Sequence, residues 1–252
     1  MTFLRVMLFE NTSVSIKCGL VSNAVFWATS FLGLYADHLA ANKKSPLLKR
    51  CKLQPQRYLS RKEKKDLLFL TSFNMIFIVF FVCCPLYESA WNRFYAGPDR
   101  YRLKELDDWI WYKEVFFKIP LHVVITEMWF YVTHRLLHSS SWLYRNVHKV
   151  HHRFLAPTAM ACVYAHPLEF AIGNIGPIWA GPILTNAHPA TCYLLWFPLA
   201  MFGTCKGHCG YRILGHVDHH DDHHLFFNCN YGGLYLSDYL LGTARVKKKK
   251  QV

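Results

Sequence analysis

Residues 67–87 read LLFLTSFNMIFIVFFVCCPLY, a run of 21 residues without a charged side chain. Residues 18–36, CGLVSNAVFWATSFLGLYA, form a second uncharged run of 19 residues. Because an α-helix rises about 1.5 Å per residue, each run is long enough to cross the roughly 30 Å of hydrocarbon in a bilayer. A helix in a soluble core is usually shorter and apolar on one face only. The two runs therefore predict transmembrane helices.

Two further apolar stretches follow these runs. Residues 115–133 are mainly apolar but contain Lys118 and Glu127, and they predict a span that leads into the first histidine motif. An ionisable residue at membrane depth, such as Glu127, is either functional or faces an interface or the protein interior. Residues 170–205 contain no Asp, Glu, Lys or Arg and are interrupted at 181–182 and 186–189. They predict a helical hairpin with arms of about 16 residues, either tilted, partly embedded or re-entrant.

The distribution of charge orients these helices. The chain has 252 residues and a formal net charge of +13, and its 52% hydrophobic content excludes a disordered chain. Segment 43–65 contains ten Lys or Arg residues and one Glu, whereas segment 88–114 contains five basic and six acidic residues. The positive-inside rule places 43–65 in the cytosol, and counting the spans places the histidine motifs there too. Because the basic residues flank apolar spans, they indicate a membrane surface and not nucleic acid.

These features predict an all-α integral membrane protein with about four to five membrane-embedded helices and a cytosolic helical cap that carries the histidines. Residues 247–250 are all lysine. Lysines third and fourth from the C-terminus resemble a dilysine retrieval signal of the endoplasmic reticulum, and a plain basic membrane anchor is the compatible alternative. The nine cysteines include no Cys-x-x-Cys pair, so we expect them to be reduced and packed in apolar surroundings.

Thirteen of the fifteen histidines lie between residues 134 and 224. Residues three and four apart on a helix share one face, so each closely spaced motif should point its imidazoles in one direction. One such pair arises easily by chance, but three motifs on one side of a membrane would leave many imidazole nitrogens unsatisfied unless they bind metal. The three motifs are His134 and His138; His148, His151 and His152; and His220, His223 and His224.

The three motifs together supply eight imidazoles, more than one metal ion takes, so they predict two ions. The sequence has no His-Glu-x-x-His motif of zinc proteases and no Glu-x-x-His motif of carboxylate-rich di-iron bundles. A histidine-rich two-metal site beside a membrane favours iron and dioxygen. Asp221, inside the third motif, is a candidate to accept a hydrogen bond from a ligating imidazole. The alternative is that Asp221 and Asp222 are both solvated.

Several segments around these motifs complete a recognisable pattern. Together with the histidine motifs, they resemble the fatty acid hydroxylase superfamily, which includes sterol desaturases, methylsterol monooxygenases and lipid hydroxylases. The resemblance covers about 110–245 and implies three parts: a membrane region 1–109 with the basic loop 43–65, a hydroxylase-like domain 110–245, and a basic tail 246–252. The segments are Ala156-Pro157, AHPLE at 165–169, GHCGY at 207–211, NCNYG at 228–232, Asp238 and Gly242-Thr243.

The resemblance implies a set of metal ligands. Some members of the superfamily have a histidine four residues before the equivalent of His208, where this chain has Thr204. Either His166 fills that gap, or one metal has fewer protein ligands. The implied ligands are His134, His138, His148, His151, His152, His208, His220, His223 and His224, with His166 as a tenth.

The resemblance also implies a reaction. Two iron ions would activate dioxygen, and the electrons would come from NAD(P)H through an external reductase and a cytochrome b5-type carrier, because the chain shows no flavin or nicotinamide motif. The His-Pro and Asn-Tyr-Gly segments favour a sterol, such as a 4-methyl sterol, as substrate. The alternatives are a fatty acyl or sphingolipid hydroxylase or desaturase, an inactive metal-binding relative, and a zinc-loaded structural or transport protein. Aromatic residues around 109–131 and 193–202 are candidates to line the substrate path, or else to form interfacial belts.

Overall fold

The computed structural model describes residues 12–94, 108–212 and 219–245, and this part of the chain is helical without a β-strand. The predicted retrieval signal lies outside the described residues. Two 3₁₀ turns, His148–Arg153 and Ala159–Val163, connect the helices at one end. The helices are α1 Val14–Ala41, α2 Pro46–Cys51, α3 Arg61–Phe94, α4 Trp109–Ser139, α5 Ser141–Asn146, α6 167–185, α7 189–207, α8 His219–Phe226 and α9 Leu236–Leu240.

Helices α1, α3 and α4 are each long and apolar enough to cross a membrane. Their outward faces carry large apolar side chains, and Leu32, Phe81 and Phe117 are between 67% and 73% exposed. Such surfaces are stable in lipid but not in water. The protein is therefore an all-α membrane protein, as the uncharged runs predict.

Helices α6 and α7 form the predicted hairpin, but only one of the two predicted interruptions is present. Asn186 ends α6 in the left-handed conformation with a φ of 48°, and Pro189 begins α7. Gly181 and Pro182 lie inside α6 instead of breaking it. Pro182 cannot donate to the carbonyl four residues earlier, that of Ile178, and Trp196 Nε1 donates to this carbonyl at 2.8 Å. The indole of Trp196 in α7 thus replaces the hydrogen bond that Pro182 removes.

The hairpin packs between the spanning helices. Helix α6 lies against α4, and α7 lies against α1 and the turn Ala159–Val163. Gly181 permits the first contact, because a Cβ atom there would come within 2.8 Å of the Cα of His122 in α4. All nine cysteines are free and eight are buried, in agreement with the expectation from the sequence.

The basic segment 43–65 is joined to the end of the bundle that carries the histidine motifs. Lys52, which follows α2, is buried and donates to Asp37 of α1 at 2.6 Å. The Tyr211 hydroxyl donates to the same carboxylate at 2.7 Å, and Lys52 forms an isolated β-bridge with Tyr211. Gln54 donates to the carbonyl of Leu155 at 2.7 Å. We refer to this end of the bundle as the histidine end.

Glu127, the acidic residue inside α4, is buried and faces the protein interior. Its carboxylate accepts hydrogen bonds at 2.9 Å from the backbone N–H groups of Gly233 and Leu234, and also from the Ser237 hydroxyl. Gly232 passes so close that a Cβ atom would lie 2.5 Å from Glu127 Oε1. The carboxylate therefore holds the segment that follows α8 against α4, and the interior-facing interpretation of Glu127 is the correct one.

We expect Glu127→Ala to loosen this segment, because the partly buried N–H groups of Gly233 and Leu234 and the Ser237 hydroxyl would lose their acceptor, and a typical hydrogen bond contributes about 1 kcal/mol. Hydrogen exchange read by mass spectrometry should show faster exchange over 231–237. Met128→Ala, at an exposed neighbouring position of α4, serves as the control and should leave exchange there unchanged. Equal exchange in the two variants would contradict this role for Glu127.

Candidate metal centre

Nine of the ten predicted ligands converge at the histidine end in two groups. Within each group, one nitrogen from each imidazole lies within 4.8 Å of the others. Eight of the nine side chains are buried, and His138 is partly exposed. The first group is His134, His138, His148, His152 and His223, and the second is His151, His208, His220 and His224.

The local helices explain how the ligands are divided. Each motif contributes a pair four residues apart to one group, as His134 and His138 do at the end of α4. The remaining member crosses to the other group: His151 of the second motif joins the second group, and His223 of the third motif joins the first. The expectation that each motif points in a single direction is therefore wrong for these two motifs. The turn His148–Arg153 and helix α8 each contribute imidazoles to both groups and so connect the two groups.

Backbone carbonyls orient four of the nine rings. A ring whose Nδ1–H donates to a carbonyl is held as the neutral tautomer with its lone pair on Nε2, which is the arrangement that binds a metal. The Nδ1 contacts are His134 to Tyr231 at 2.6 Å, His223 to Cys229 at 2.7 Å, His208 to Thr204 at 3.0 Å and His151 to Tyr164 at 3.3 Å.

The Nε2 atoms of the first group are crowded around one point. Their closest separations are 2.9 to 3.1 Å. A neutral imidazole has one proton, and His134 and His223 already use theirs on carbonyls, so hydrogen bonds alone cannot satisfy these contacts. In the second group, both nitrogens of buried His224 have no hydrogen-bond partner. A metal cation at each point would satisfy these lone pairs, so both groups fit a transition-metal ion.

Burial favours the uncharged form of the rings of His151 and His224 near neutral pH. Desolvation lowers the pKa of His151 to about 4. Desolvation, followed by the neighbouring imidazoles of His151 and His208, lowers the pKa of His224 well below its ordinary value. Neutral imidazole is the form that ligates a metal, so the rings need lose no proton to bind it.

A buried carboxylate that was not predicted from the sequence lies beside the first group. Glu169, at the start of α6, lies with Oε1 2.7 Å from His148 Nδ1. A carboxylate in this position fixes the ring and raises its basicity, and losing such a partner typically weakens metal binding about 10–100-fold. The only signal in the sequence was its place in the AHPLE segment. Asp221, to which the sequence assigned such a role, is buried in α8, and its contact with an imidazole stays a prediction.

His166 does not belong to either group. Its Nδ1 accepts a hydrogen bond from the Leu168 N–H at 3.2 Å and caps the start of α6. His188 caps α7 in the same way through the Ala190 N–H at 3.2 Å. Both helices thus begin with a His-Pro pair in which the histidine is a cap. The gap at Thr204 stays open, and the second group contains four imidazoles.

An apolar cavity of about 280 Å³ lies between α4, α6 and α7 and ends at both groups. Its walls include His134 and His148 of the first group and His151, His208 and His220 of the second. Most of the remaining lining is aliphatic or glycine. Of the aromatic residues proposed to line a lipid path, two line this cavity, namely Phe130 and Trp196.

Two imidazole groups at the end of membrane helices, reached by one apolar cavity, define a membrane protein with a histidine-rich candidate metal site. Residues 119–243 match the family model for fatty acid hydroxylase. Through this region, about half of its length, the chain belongs to the fatty acid hydroxylase family, which confirms the resemblance read from the sequence. No solved structure matches the chain.

Curated relatives include proteins named for different lipids. Fatty acid hydroxylase domain-containing protein 2 of Homo sapiens is 35% identical over 179 residues, covering 70% of this chain and 51% of the relative. Methylsterol monooxygenase 2-2 of Arabidopsis thaliana is 36% identical, covering 52% and 54%. Fatty acid hydroxylase ahd1 of Mycosarcoma maydis is 40% identical, covering 50% and 33%. The chain spans about half the length or less of these relatives.

The division of the imidazoles into two groups predicts how a substitution changes the metal content. His223→Ala removes one of five rings in the first group and should lower bound metal from about two ions per chain towards one. His166→Ala is the matched control, because His166 lies outside both groups, and it should keep the full content. Metal analysis of purified full-length protein measures both. A loss of metal in His166→Ala equal to that in His223→Ala would refute this division of the ligands.

Proposed function

We propose that this protein is a membrane di-iron oxygenase that hydroxylates or otherwise oxidises a sterol. The observation that carries the proposal is the pair of imidazole groups that share the end of one apolar cavity. A lipid in the cavity would reach both groups without crossing water. Membership of the fatty acid hydroxylase family supports the reaction class.

Iron is the metal that this reaction needs. Imidazole is a ligand for iron and also for zinc, copper and nickel. The donor set therefore allows iron, and the family favours it. Two bound iron ions would activate dioxygen for attack on an unactivated C–H bond, chemistry that no side chain supplies. The protein holds the ions through its nine imidazoles, fixes His148 with Glu169, and excludes water with an apolar cavity. Placing the reacting carbon against the two groups is the task of the cavity walls.

A sterol, with 4-methyl sterols as the first candidates, is our preferred substrate. The relative named methylsterol monooxygenase 2-2 and the His-Pro and Asn-Tyr-Gly segments support it. The second candidate is a fatty acyl or sphingolipid chain, hydroxylated or desaturated, and the 40% identity to fatty acid hydroxylase ahd1 favours it. A metal-binding relative without turnover is the third.

Electrons must reach the metals from outside the chain. We propose a cytochrome b5-type carrier, reduced by an NAD(P)H-dependent reductase, that approaches from the cytosol at the endoplasmic reticulum. The position of the basic segment 43–65 at the histidine end supports this, because its positive charge would attract an acidic carrier. The positive-inside rule supports a cytosolic histidine end.

Electron delivery should therefore depend strongly on salt. Raising ionic strength from about 0.01 to 0.15 M shortens the Debye length from about 30 to 8 Å, and we expect the second-order reduction rate to fall at least tenfold. Stopped-flow reduction of the iron-loaded protein by reduced cytochrome b5 measures this. Replacing Lys62, Lys64 and Lys65 by Gln should flatten the dependence. A rate insensitive to salt would exclude steering by this segment.

Lipid analysis tests the reaction itself. Cells that express the protein should lose a 4-methyl sterol or gain its oxidised product relative to cells without it. Cells that express His151→Ala, which lacks a ligand of the second group, should match cells without the protein. Changes confined to 2-hydroxy or unsaturated acyl lipids would establish the second candidate. Identical sterol and acyl profiles in all three cell lines would indicate a relative without turnover.

A further inference from the structure

The cavity has a side opening at the surface of the helix bundle. Four of its lining residues are also exposed at the protein surface: Leu199 at 50%, Leu234 at 58%, Gly203 and Gly233. Leu199 and Gly203 lie one turn apart on α7. Gly233 and Leu234 belong to the segment that Glu127 holds against α4. The opening therefore lies between α7 and the segment that follows α8.

The opening has an apolar rim and lies close to the imidazole groups. Gly203 precedes the last residue of α7, Gly207, by about one helical turn, or roughly 6 Å. His208, a ligand of the second group, follows immediately. Leu199 and Phe202 form an exposed apolar surface beside the opening. A lipid in the membrane can thus enter the cavity within two turns of a metal group.

The glycines of α7 are best explained by the space that they leave open. Glycine inside a helix costs about 1 kcal/mol relative to alanine, and it is usually kept for close packing. Gly181 in α6 is such a case, because a Cβ atom there would collide with His122. A Cβ atom at Gly203 or Gly207 would meet no heavy atom within 4 Å, although both residues line the cavity. Neither glycine is needed for a close helix contact, and the absence of their side chains leaves the cavity wider.

We propose that the gap bounded by Leu199, Gly203 and Leu234 is the lateral entrance for substrate, and that Gly203 keeps it wide enough for a fused-ring lipid. This inference rests on the proposed function. A fused-ring lipid is rigid and broad, and it cannot bend around a side chain at position 203. A flexible acyl chain is narrower and can bend past one. Gly203 is therefore a specificity-determining residue, and a bulky side chain there should select against sterols.

The test uses full-length protein in nanodiscs and two photoreactive probes, a 4-methyl sterol and a palmitate that each carry a diazirine. Labelling of cavity peptides is read by mass spectrometry and does not require turnover. We expect Gly203→Phe to lower sterol labelling at least tenfold and palmitate labelling less than threefold. Gly203→Ala should give a smaller loss of sterol labelling. Leu194→Phe adds bulk at an exposed position of α7 outside the cavity and should label like the parent protein.

We expect each variant to keep the metal content and the thermal unfolding temperature of the parent protein. A loss of sterol labelling then reflects a blocked entrance and not a folding defect. Equal sterol labelling of the parent and the folded Gly203→Phe variant would overturn the entrance. Equal losses for both probes would overturn the role of Gly203 in selectivity. A parent protein labelled by palmitate and not by the sterol would instead refute the sterol substrate. That result would also overturn the role of Gly203, because this role is to admit a fused-ring lipid.

Discussion

The structure depends on one constraint: nine imidazoles, eight of them buried, lie so close together that hydrogen bonds among them cannot satisfy all of their nitrogens. Five Nε2 atoms of the first group approach one another to about 3 Å, and both nitrogens of His224 lack a hydrogen-bond partner. One nearby carboxylate, Glu169, contacts the first group. Because burial of such groups without a partner is costly, a metal bound here would couple its binding to the folding of the histidine end.

The surrounding elements serve to hold these rings in place. Helix α4 supplies two ligands and, two turns earlier, the Glu127 carboxylate that fixes the segment after α8. That segment returns the Tyr231 carbonyl to His134 of the same helix. Helix α7 ends next to His208 and orients it through the Thr204 carbonyl. Helices α4, α6 and α7 thus each help to position an imidazole of the two groups.

Much of this arrangement follows from simple sequence rules. Uncharged runs of about 20 residues identify α1 and α3, because the thickness of the bilayer leaves few alternatives. Histidine spacing picks out eight of the nine grouped imidazoles, because spacing on a helix determines which side chains share a face, and the family resemblance adds His208. The division of His151 and His223 between the two groups was beyond this rule, since it depends on the direction from which neighbouring elements approach. Trp196, which replaces the hydrogen bond lost at Pro182, comes from a helix that spacing alone could not place.

His166 and Glu169 show the limits of short-range reasoning in one segment. His166 was predicted as a ligand but caps a helix, whereas Glu169 was not predicted to have a role but contacts His148. Spacing within a motif says nothing about a partner that is 21 residues away in sequence. The cap by His166 is a contact within the segment, whereas the tertiary fold brings His148 to Glu169.

The buried ion pair of Lys52 and Asp37 has a consequence for communication between surface and interior. Tyr211 donates to Asp37, and it lies three residues beyond His208. The basic segment and an imidazole of the second group are therefore linked through one short stretch of chain. A partner that altered the conformation of segment 43–65 through this link would also alter the affinity for metal. Thermodynamic reciprocity then requires that loading of the metal alter the affinity for that partner by the same factor.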